Sequence, residues 1–259
     1  MTILHTLRFW QELLFAFTRK EFKRRYKQRY LKAAWTVLHP LFTLLIFITI
    51  FSRVAKLPSE QVPYALFSFT ALIFWSYLAA CVNSSTNALL SNSQMITRLR
   101  FPRMVIPFAT VLANFPDFLI SVVLLVLFLA FNKVGVSPHL AFLVPIFLAQ
   151  LLTTFGAALI LSIANVYMRD IQSALPILIQ AWMLISPVGY SLSMVGKPFR
   201  PFYLLNPMAG ILDSYRKVLI HHELPDAGAL LTAEAVSVIL FVTGLVFFQK
   251  LEKNVADVI

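Results

Sequence analysis

Residues 104–131 read MVIPFATVLANFPDFLISVVLLVLFLAF, and this stretch decides the fold of the protein. Asp117 is the one charged residue within it. About 20 consecutive apolar residues in a helix cross the core of a bilayer, and this stretch is longer than that. Its apolar residues are continuous rather than alternating with polar ones, which argues against a strand of a membrane β-barrel. The sequence therefore predicts a membrane-spanning helix.

Five further apolar runs of similar length lie on either side of this stretch. We interpret the six runs as spans at residues 33–52, 64–90, 104–131, 139–165, 173–195 and 231–249. The composition agrees, because 59% of residues are hydrophobic and only 13% are charged, about half the charge of a typical soluble domain. We predict an all-α membrane protein with an interface segment at residues 1–32, a six-helix transmembrane domain at residues 33–249 and a cytoplasmic tail at residues 250–259.

The segment before the first span has the pattern of an amphipathic helix. Ile3, Leu7, Trp10, Leu14 and Phe17 recur at helical spacing, and charged residues occupy the other side. Such a helix is either a simple anchor at the membrane surface or a platform contacted by a cytoplasmic partner. The charged residues also interrupt the apolar region that a signal peptide needs, so we expect no cleavable signal peptide.

The distribution of basic residues predicts the orientation. Of the 22 Lys and Arg residues, 15 fall on the two termini and on loops that six spans would place on the same side. Because cytoplasmic loops carry the excess of Lys and Arg, both termini are predicted to be cytoplasmic. The net charge of +11 favours anionic membrane lipids over nucleic acid as the partner of the N-terminal segment, since that segment directly precedes a span.

Within the spans, one carboxylate and two aromatic residues are candidates for the lining of a conduit. An ionisable group inside a membrane is a functional candidate, and Asp117 is such a group. The alternative is that it satisfies backbone groups freed by a kink at Pro116. Trp75 and Tyr77 present faces on which sugar rings stack, although aromatic residues of spans also serve in packing and in interfacial belts.

Residues 91–103, SNSQMITRLRFPR, form a short basic connection between the second and third predicted spans. We predict a short helix that ends before Pro102. The connection is either an ordinary positive loop that fixes topology or a compact projection that docks into a partner protein.

The connection between the fifth and sixth predicted spans contains two apolar stretches, at residues 198–205 and 207–220. Both are too short to cross a bilayer and are predicted to form external re-entrant or interfacial helices. Asn206 is suited to cap the second helix and Pro207 to occupy its first position. Three charged residues are expected to keep part of that helix in contact with water: Asp213, Arg216 and Lys217.

Several signals of enzymatic chemistry are absent from the sequence. None of the seven glycines begins a G-x-x-x-x-G-K-[ST] pattern, so we expect no ATP binding by that route. Cys81 is the single cysteine, and the five histidines form no H-E-x-x-H motif. We therefore predict no cofactor, metal or catalytic site in this chain.

A series of short motifs runs almost from end to end of the chain. They are RRYKQRYL at residues 24–31 followed by Trp35 and Pro40, RFPR at 100–103 with Pro107, RD at 169–170, LNP at 205–207 with Tyr215-Arg216, and EKNVADV at 252–258. In their order and spacing these motifs resemble the type-2 permease family of ATP-binding-cassette (ABC) exporters. The branch they resemble exports lipid-linked polysaccharides and polyol phosphates.

This resemblance implies a homodimer that works with two copies of a separate ATPase subunit, which would bind ATP and Mg²⁺. It also implies that residues 91–103 are the element that couples the permease to the ATPase, and that residues 198–220 are external re-entrant helices, including Tyr215. We expect docking to use four apolar residues, Met95, Ile96, Leu99 and Phe101, and three basic ones, Arg98, Arg100 and Arg103.

The expected location is the cytoplasmic (inner) membrane. The expected substrate is a lipid-linked glycan, which is an O-antigen-like glycan, a capsular polysaccharide or a teichoic acid. Four basic residues are candidates to bind its diphosphate head group, unless they serve only topology and lipid binding: Arg24, Arg25, Lys27 and Arg29. The alternatives from other classes are a membrane enzyme acting on polyprenyl phosphate, which would need clustered acids or histidines, and a passive channel.

Overall fold

The computed structural model describes residues 3–26, 32–50, 62–99, 101–196 and 198–258, and every regular element in these ranges is helical. The α-helices are α1 (Ile3–Tyr26), α2 (Lys32–Phe47), α3 (Tyr64–Thr86), α4 (Ala88–Ser91), α5 (Ser93–Arg98), α6 (Val105–Leu112), α7 (Phe115–Phe131), α8 (Leu143–Tyr167), α9 (Asp170–Ile185), α10 (Arg200–Leu204), α11 (Pro207–Arg216), α12 (Ala227–Glu252) and α13 (Val255–Val258). Two 3₁₀ helices occur at Leu140–Phe142 and Leu192–Met194, and a π-helical turn occurs at Lys217–His221.

Among the residues that the structure describes, four helical stretches are long and apolar enough to cross a membrane. They are Tyr64–Thr86, Val105–Phe131, Leu140–Tyr167 and Ala227–Glu252. The first and fifth predicted spans correspond to shorter apolar helices, at Pro40–Ile50 and Asp170–Ile185. The prediction of an all-helical membrane protein is confirmed for the described residues, whereas helix length alone supports four of the six predicted spans.

The third predicted span is interrupted near its middle, because α6 ends at Leu112 and α7 begins at Phe115. Pro116 lies in the first turn of α7, where its missing N–H has no intrahelical acceptor to lose. Asn114 Nδ2 donates to the Thr110 carbonyl at 2.8 Å, which satisfies a backbone acceptor at the end of α6. Asp117 follows in the first turn of α7, at the positive end of the helix dipole.

Helix α3 lies at the centre of the bundle, and α8 is attached to it at two levels. Gln150 Nε2 donates to the Phe74 carbonyl at 2.8 Å, and Asn165 Nδ2 donates to the Thr86 carbonyl at 3.0 Å. Tyr215 of α11 completes the first level, since its hydroxyl donates to Gln150 Oε1 at 2.9 Å and its ring stacks on Phe74. These buried amides pair polar groups that would otherwise be costly in an apolar interior.

Glycines allow the backbones of α8 and α12 to touch. A Cβ atom at Gly156 would stand 2.8 Å from the backbone of Leu240 and Phe241, and one at Gly244 would stand 2.8 Å from the Gly156 carbonyl oxygen. Small residues serve this purpose between membrane helices, where close packing is a main source of association. Helix α12 therefore lies directly against α8.

The two ends of the chain meet at one end of the bundle. Phe17 of α1, Ile96 of α5, Phe248 of α12 and Val255 of α13 are buried in one apolar cluster. We call this the terminal end of the bundle. The predicted N-terminal helix is confirmed, and its buried face includes Phe17, while Phe15 is 72% exposed on another face. Side chains before Trp10 lie outside the described part.

At the opposite end, α10 and α11 form the predicted pair of short helices. Asn206 caps α11 as predicted, because its Oδ1 accepts from Met208 N at 3.2 Å, and Pro207 occupies the first turn. The same side chain accepts from Trp182 Nε1 at 3.0 Å and donates to Ser186 Oγ at 2.9 Å. One asparagine thus joins α11 to the end of α9.

The expectation that charged residues keep α11 in water is wrong for two of the three. Arg216 is 1% exposed and Asp213 is 7% exposed. The Arg216 guanidinium is buried because it donates to four backbone carbonyls, of Phe67, Pro187, Val188 and Tyr190, and stacks on the Phe67 ring at 3.6 Å. Its charge is satisfied by protein oxygen atoms in place of water.

Candidate functional site

A cavity of about 600 Å³ lies between α2, α3, α7 and α9. The three residues that the sequence nominated as conduit candidates, Trp75, Tyr77 and Asp117, all line it. Two prolines inside helices, Pro40 of α2 and Pro176 of α9, also line the cavity. The interruption between α6 and α7 brings Asp117 to the wall of the cavity, in the middle of the third predicted span.

The cavity wall combines two kinds of side chain. Trp75 packs edge to face on Trp182 with ring centroids 5.6 Å apart, and Tyr77 packs on Phe118 at 4.6 Å. Polar side chains complete the lining: Thr43, Ser76, Asn83, Asn114, Asp117, Ser121 and Gln180. Trp75 and Tyr77 are only 3% and 4% exposed because neighbouring rings cover them. The amide and hydroxyl groups beside them suit a ligand that has hydroxyl groups.

The sequence did not identify the three amide side chains of this wall as candidate site residues. Asn83, Asn114 and Gln180 lie within apolar runs, and a polar side chain inside a span is the available signal for a functional or packing role. The signal does not separate them from Gln150 and Asn165, which are fully buried between helices. Only the fold distinguishes an amide at a cavity from an amide in the packed interior.

Of the two basic head-group candidates that the structure describes, Arg24 and Arg25, one reaches the cavity wall. The Arg25 guanidinium donates to Asn114 Oδ1, and Asn114 Nδ2 donates to Ser84 Oγ at 3.0 Å. Burial lowers the pKa of Arg25 below its ordinary value. Arg24 instead pairs with Glu21 at 2.7 Å, with its side chain half exposed. Lys27 and Arg29 lie outside the described residues.

The predicted docking segment at residues 91–103 contains the predicted short helix, α5, and its four apolar candidates differ in exposure. Ile96 is 3% exposed, Phe101 packs on Phe17 with centroids 5.1 Å apart, and Met95 Sδ accepts from Lys20 Nζ at 2.8 Å. Leu99 is 55% exposed. Leu99 is therefore the exposed one among the four apolar candidates of this segment.

The basic candidates of the same segment also differ. Arg98 is exposed, Arg100 lies outside the described residues, and Arg103 is engaged within the chain. The backbone N–H of Arg103 donates to Glu252 Oε1 at 2.6 Å, and its guanidinium donates to the Glu252 carbonyl. A groove of about 640 Å³ lies beside this contact, between α5 and the end of α12. Sequence reasoning assigned no role to Glu252.

Comparison with known proteins covers both the cavity and the docking segment. The ABC-2 type transporter family matches residues 12–220. The chain is 30% identical over 248 residues to an O-antigen export system permease protein of Myxococcus xanthus, covering 95% of this chain and 94% of that protein. It is 29% identical over 252 residues to an O-antigen export system permease protein of Klebsiella pneumoniae, covering 96% and 95% of the two chains.

A more distant relative is the polysialic acid transport protein KpsM of Escherichia coli, which is 21% identical over 240 residues and is covered over 91% of its length, with 90% of this chain aligned. The family match spans most of the chain and includes α5, α7 and the cavity that α7 lines. The protein is thus a multi-pass membrane protein that belongs to the ABC-2 type transporter family.

Proposed function

We propose that the chain is the transmembrane permease subunit of an ABC exporter that moves a lipid-linked polysaccharide across the cytoplasmic membrane. The observation that carries the proposal is the pairing of an aromatic and amide-lined cavity with an exposed docking segment, in a chain similar over almost its full length to O-antigen permeases. Energy would come from a separate ATPase subunit that binds ATP and Mg²⁺, with two copies of each chain in the complex.

The cavity supports a glycan as substrate. Sugar rings present hydroxyl groups to amides and apolar C–H faces to aromatic side chains. Asn83 and Gln180 are exposed amides of the wall, and its aromatic residues Trp75 and Tyr77 are 3% and 4% exposed in the single chain. The relatives named for O-antigen export favour an O-antigen-like glycan. The KpsM relative, named for polysialic acid transport, makes a capsular polysaccharide the alternative, with teichoic acid as a third.

The position of Arg25 supports a role in binding the diphosphate head group of the lipid carrier. Its guanidinium lies beside Asn114 at the cavity wall, and a guanidinium fork matches phosphate oxygens. Lys23 provides a control, because it is an exposed basic residue two positions away that the head-group role does not involve. At equal membrane level, Arg25→Gln is expected to lower export while Lys23→Gln leaves it unchanged; equal export by both variants contradicts the head-group role.

The proposed topology places the terminal end in the cytoplasm and α10 and α11 on the external side as re-entrant helices. Helices α2 and α9 would be the remaining two spans. Each has 16 residues, which is about 24 Å of helix and calls for local thinning of the bilayer or flanking extended residues. An extracellular reagent that labels a cysteine placed at Arg98 in intact cells contradicts this orientation.

A homodimer would bury some of the apolar surface that the single chain leaves exposed. Helix α12 alone exposes Leu231, Ile239 and Val242 by half or more of their surface. Lipid tails cover part of such a surface, and a second copy of the chain would cover another part.

Leu99 gives the sharpest test of the ATPase partner. Leu99→Ala removes an exposed apolar side chain from α5's end and is expected to reduce co-purification of the ATPase encoded with this chain, because a central apolar anchor dominates the energy of a docking interface. Leu224 is 57% exposed at the opposite end and supplies the control Leu224→Ala. If both variants retain the ATPase and export normally, the segment does not dock the ATPase.

The substrate class and the need for ATP are tested in cells. Deleting the gene is expected to trap completed lipid-linked glycan in the inner leaflet of the cytoplasmic membrane, and restoring the chain with an ATPase that cannot hydrolyse ATP should not release it. Release under that condition indicates a passive channel and contradicts the exporter.

A further inference from the structure

Arg103 and Glu252 hold each other through an unusual reciprocal contact. The backbone N–H of Arg103 donates to the Glu252 carboxylate at 2.6 Å, while the Arg103 guanidinium donates to the backbone carbonyl of Glu252. Each side chain thus binds the main chain of the other residue. Both bonds involve a charged group, which makes them stronger than neutral hydrogen bonds. The contact therefore fixes one backbone against the other, across 149 positions of sequence.

The contact joins the docking segment to the last turn of α12. Arg103 lies just before α6, five positions after α5 ends at Arg98, and Glu252 is the last residue of α12. A second hydrogen bond attaches the same end of α12 to α8, because the hydroxyl of Tyr167 in α8 donates to the Leu251 carbonyl at 2.9 Å. Displacement of the docking segment consequently acts on α12 directly, as well as on the helices before and after it in the chain.

Helix α12 is built to transmit such a displacement over its whole length. It runs without a proline for 26 residues, Ala227–Glu252, which is about 39 Å. At its far end its backbone touches α11, since a Cβ atom at Gly210 would stand 2.5 Å from the Ala229 carbonyl oxygen. Asp226, which caps α12, also pairs with Arg200 of α10 at 3.1 Å.

We propose that Arg103 and Glu252 form a clamp through which the docking segment moves α12, and that α12 carries this movement to α10 and α11 at the opposite end of the bundle. Both residues are positioning residues. The clamp rests on the proposed function in one respect, because the ATPase would supply the movement. It adds to that function a direct mechanical route from the terminal end to the two short helices.

The first experiment compares three variants in the complex of the chain with its ATPase. Glu252→Ala removes the acceptor for Arg103 N–H, Glu252→Gln keeps a side-chain oxygen that accepts the same bond, and Lys250→Ala alters an exposed residue two positions away. Co-purification of the ATPase, ATP hydrolysis and glycan exported per ATP are measured for each. The thermal midpoint of each complex shows whether it is folded.

We expect Glu252→Ala to keep the ATPase and its hydrolysis but to lower export per ATP by about tenfold, the change in an equilibrium that loss of one charge-assisted hydrogen bond produces. Glu252→Gln, which keeps an acceptor without its charge, should lose less export than Glu252→Ala, and Lys250→Ala should export as the native chain does. Native export by Glu252→Ala overturns the clamp. Equal loss in the Gln and Ala variants also overturns it, because the charge rather than the bond to Arg103 would then matter.

A second experiment reads the far end of α12. Phe202 of α10 is 74% exposed, and Cys81 is the only native cysteine, so Phe202→Cys in a Cys81→Ala background provides a single labelling site. Labelling by a membrane-impermeant maleimide should change in rate between nucleotide-free and ATP-trapped complexes, and adding Glu252→Ala should abolish that change. A change that survives Glu252→Ala, or its absence with Glu252 intact, overturns the route through α12. Failure of the native chain to retain any ATPase would instead contradict the proposed function.

Discussion

Replacing Gly156 by alanine tests the direct contact between α8 and α12. The added methyl group would stand 2.8 Å from the backbone carbon and oxygen of Leu240 and from the nitrogen of Phe241. Carbon atoms in favourable contact are about 3.5–4.0 Å apart. Because all three atoms belong to a helix backbone, no side chain can rotate away, and the two helices must separate locally by about 1 Å.

Two opposing effects decide the sign of this substitution. Overpacking in a close-packed interior costs about 1–3 kcal/mol, whereas alanine improves on glycine within a helix by about 1 kcal/mol. We expect a net loss of about 1–2 kcal/mol in the free energy of unfolding, because separation of the helices also weakens the neighbouring contact at Gly244. For a chain of this size that corresponds to a fall of about 2–8 °C in the thermal midpoint.

The assay is the thermal midpoint of the detergent-solubilised complex, followed by size-exclusion chromatography after heating. Gly135→Ala is the matched control, since its added Cβ would meet only the His222 side chain, at an ordinary 3.5 Å. Gly156→Ala combined with Gly244→Ala should cost less than the sum of the two, because both changes separate the same pair of helices. A midpoint for Gly156→Ala equal to that of the native chain refutes the direct backbone contact.

Three further predictions concern the end of the bundle that carries α10 and α11. Arg216→Met should lower the free energy of unfolding by about 3 kcal/mol, because four carbonyl acceptors lose a charged donor; a thermal midpoint close to the native one contradicts the buried carbonyl site. Asn206→Ala should cost about 1–2 kcal/mol by removing the cap of α11, and Asn206→Asp, which keeps the acceptor for Met208 N, should cost less in the same melting assay. The pKa of Asp226 is lowered below its ordinary value of 3.8, chiefly by the backbone N–H of Ala229, so its contribution to stability is complete above that value and is lost as the pH falls through the lower folded value. Thermal midpoints measured from pH 6 downward should therefore fall less for Asp226→Ala than for the native chain below about pH 4, and parallel curves for the two proteins contradict the assignment.

The helical class and the approximate positions of the spans follow from the sequence because continuous apolar runs leave little choice of structure in a bilayer. The length of an apolar run did not predict the length of the helix within it, however. The run at residues 173–195 contains a helix that ends at Ile185, because Pro187 disfavours a helical conformation at Ser186, which is extended. Pro187 is a local signal of that end, whereas the bonds that Asn206 and Arg216 make to Ser186 and Pro187 come from distant residues that no local pattern reveals.

Part of the candidate site could be predicted from the sequence, and the rest depends on packing that the sequence does not show. An ionisable residue in a span is rare enough that Asp117 was identified without a fold, and it lines the cavity with Trp75 and Tyr77. Exposure within residues 91–103 was not predictable, because Ile96 and Leu99 are equally apolar and only packing against α1 and α12 separates them. Arg216, which reads as a surface residue, is buried because its guanidinium binds carbonyls of residues distant in the sequence, among them Phe67 and Val188.

The two amide bonds between α3 and α8 restrict the movements open to the permease. The bonds from Gln150 and Asn165 lie about 20 Å apart along the helix axes, and each ends on a backbone carbonyl of α3. Two fixed points on a pair of helices prevent either helix from sliding or turning about its own axis without breaking a buried bond. Helices α3 and α8 must then move together as one rigid unit. Any opening of the cavity has to come from movement of α2, α7 and α9 away from that unit.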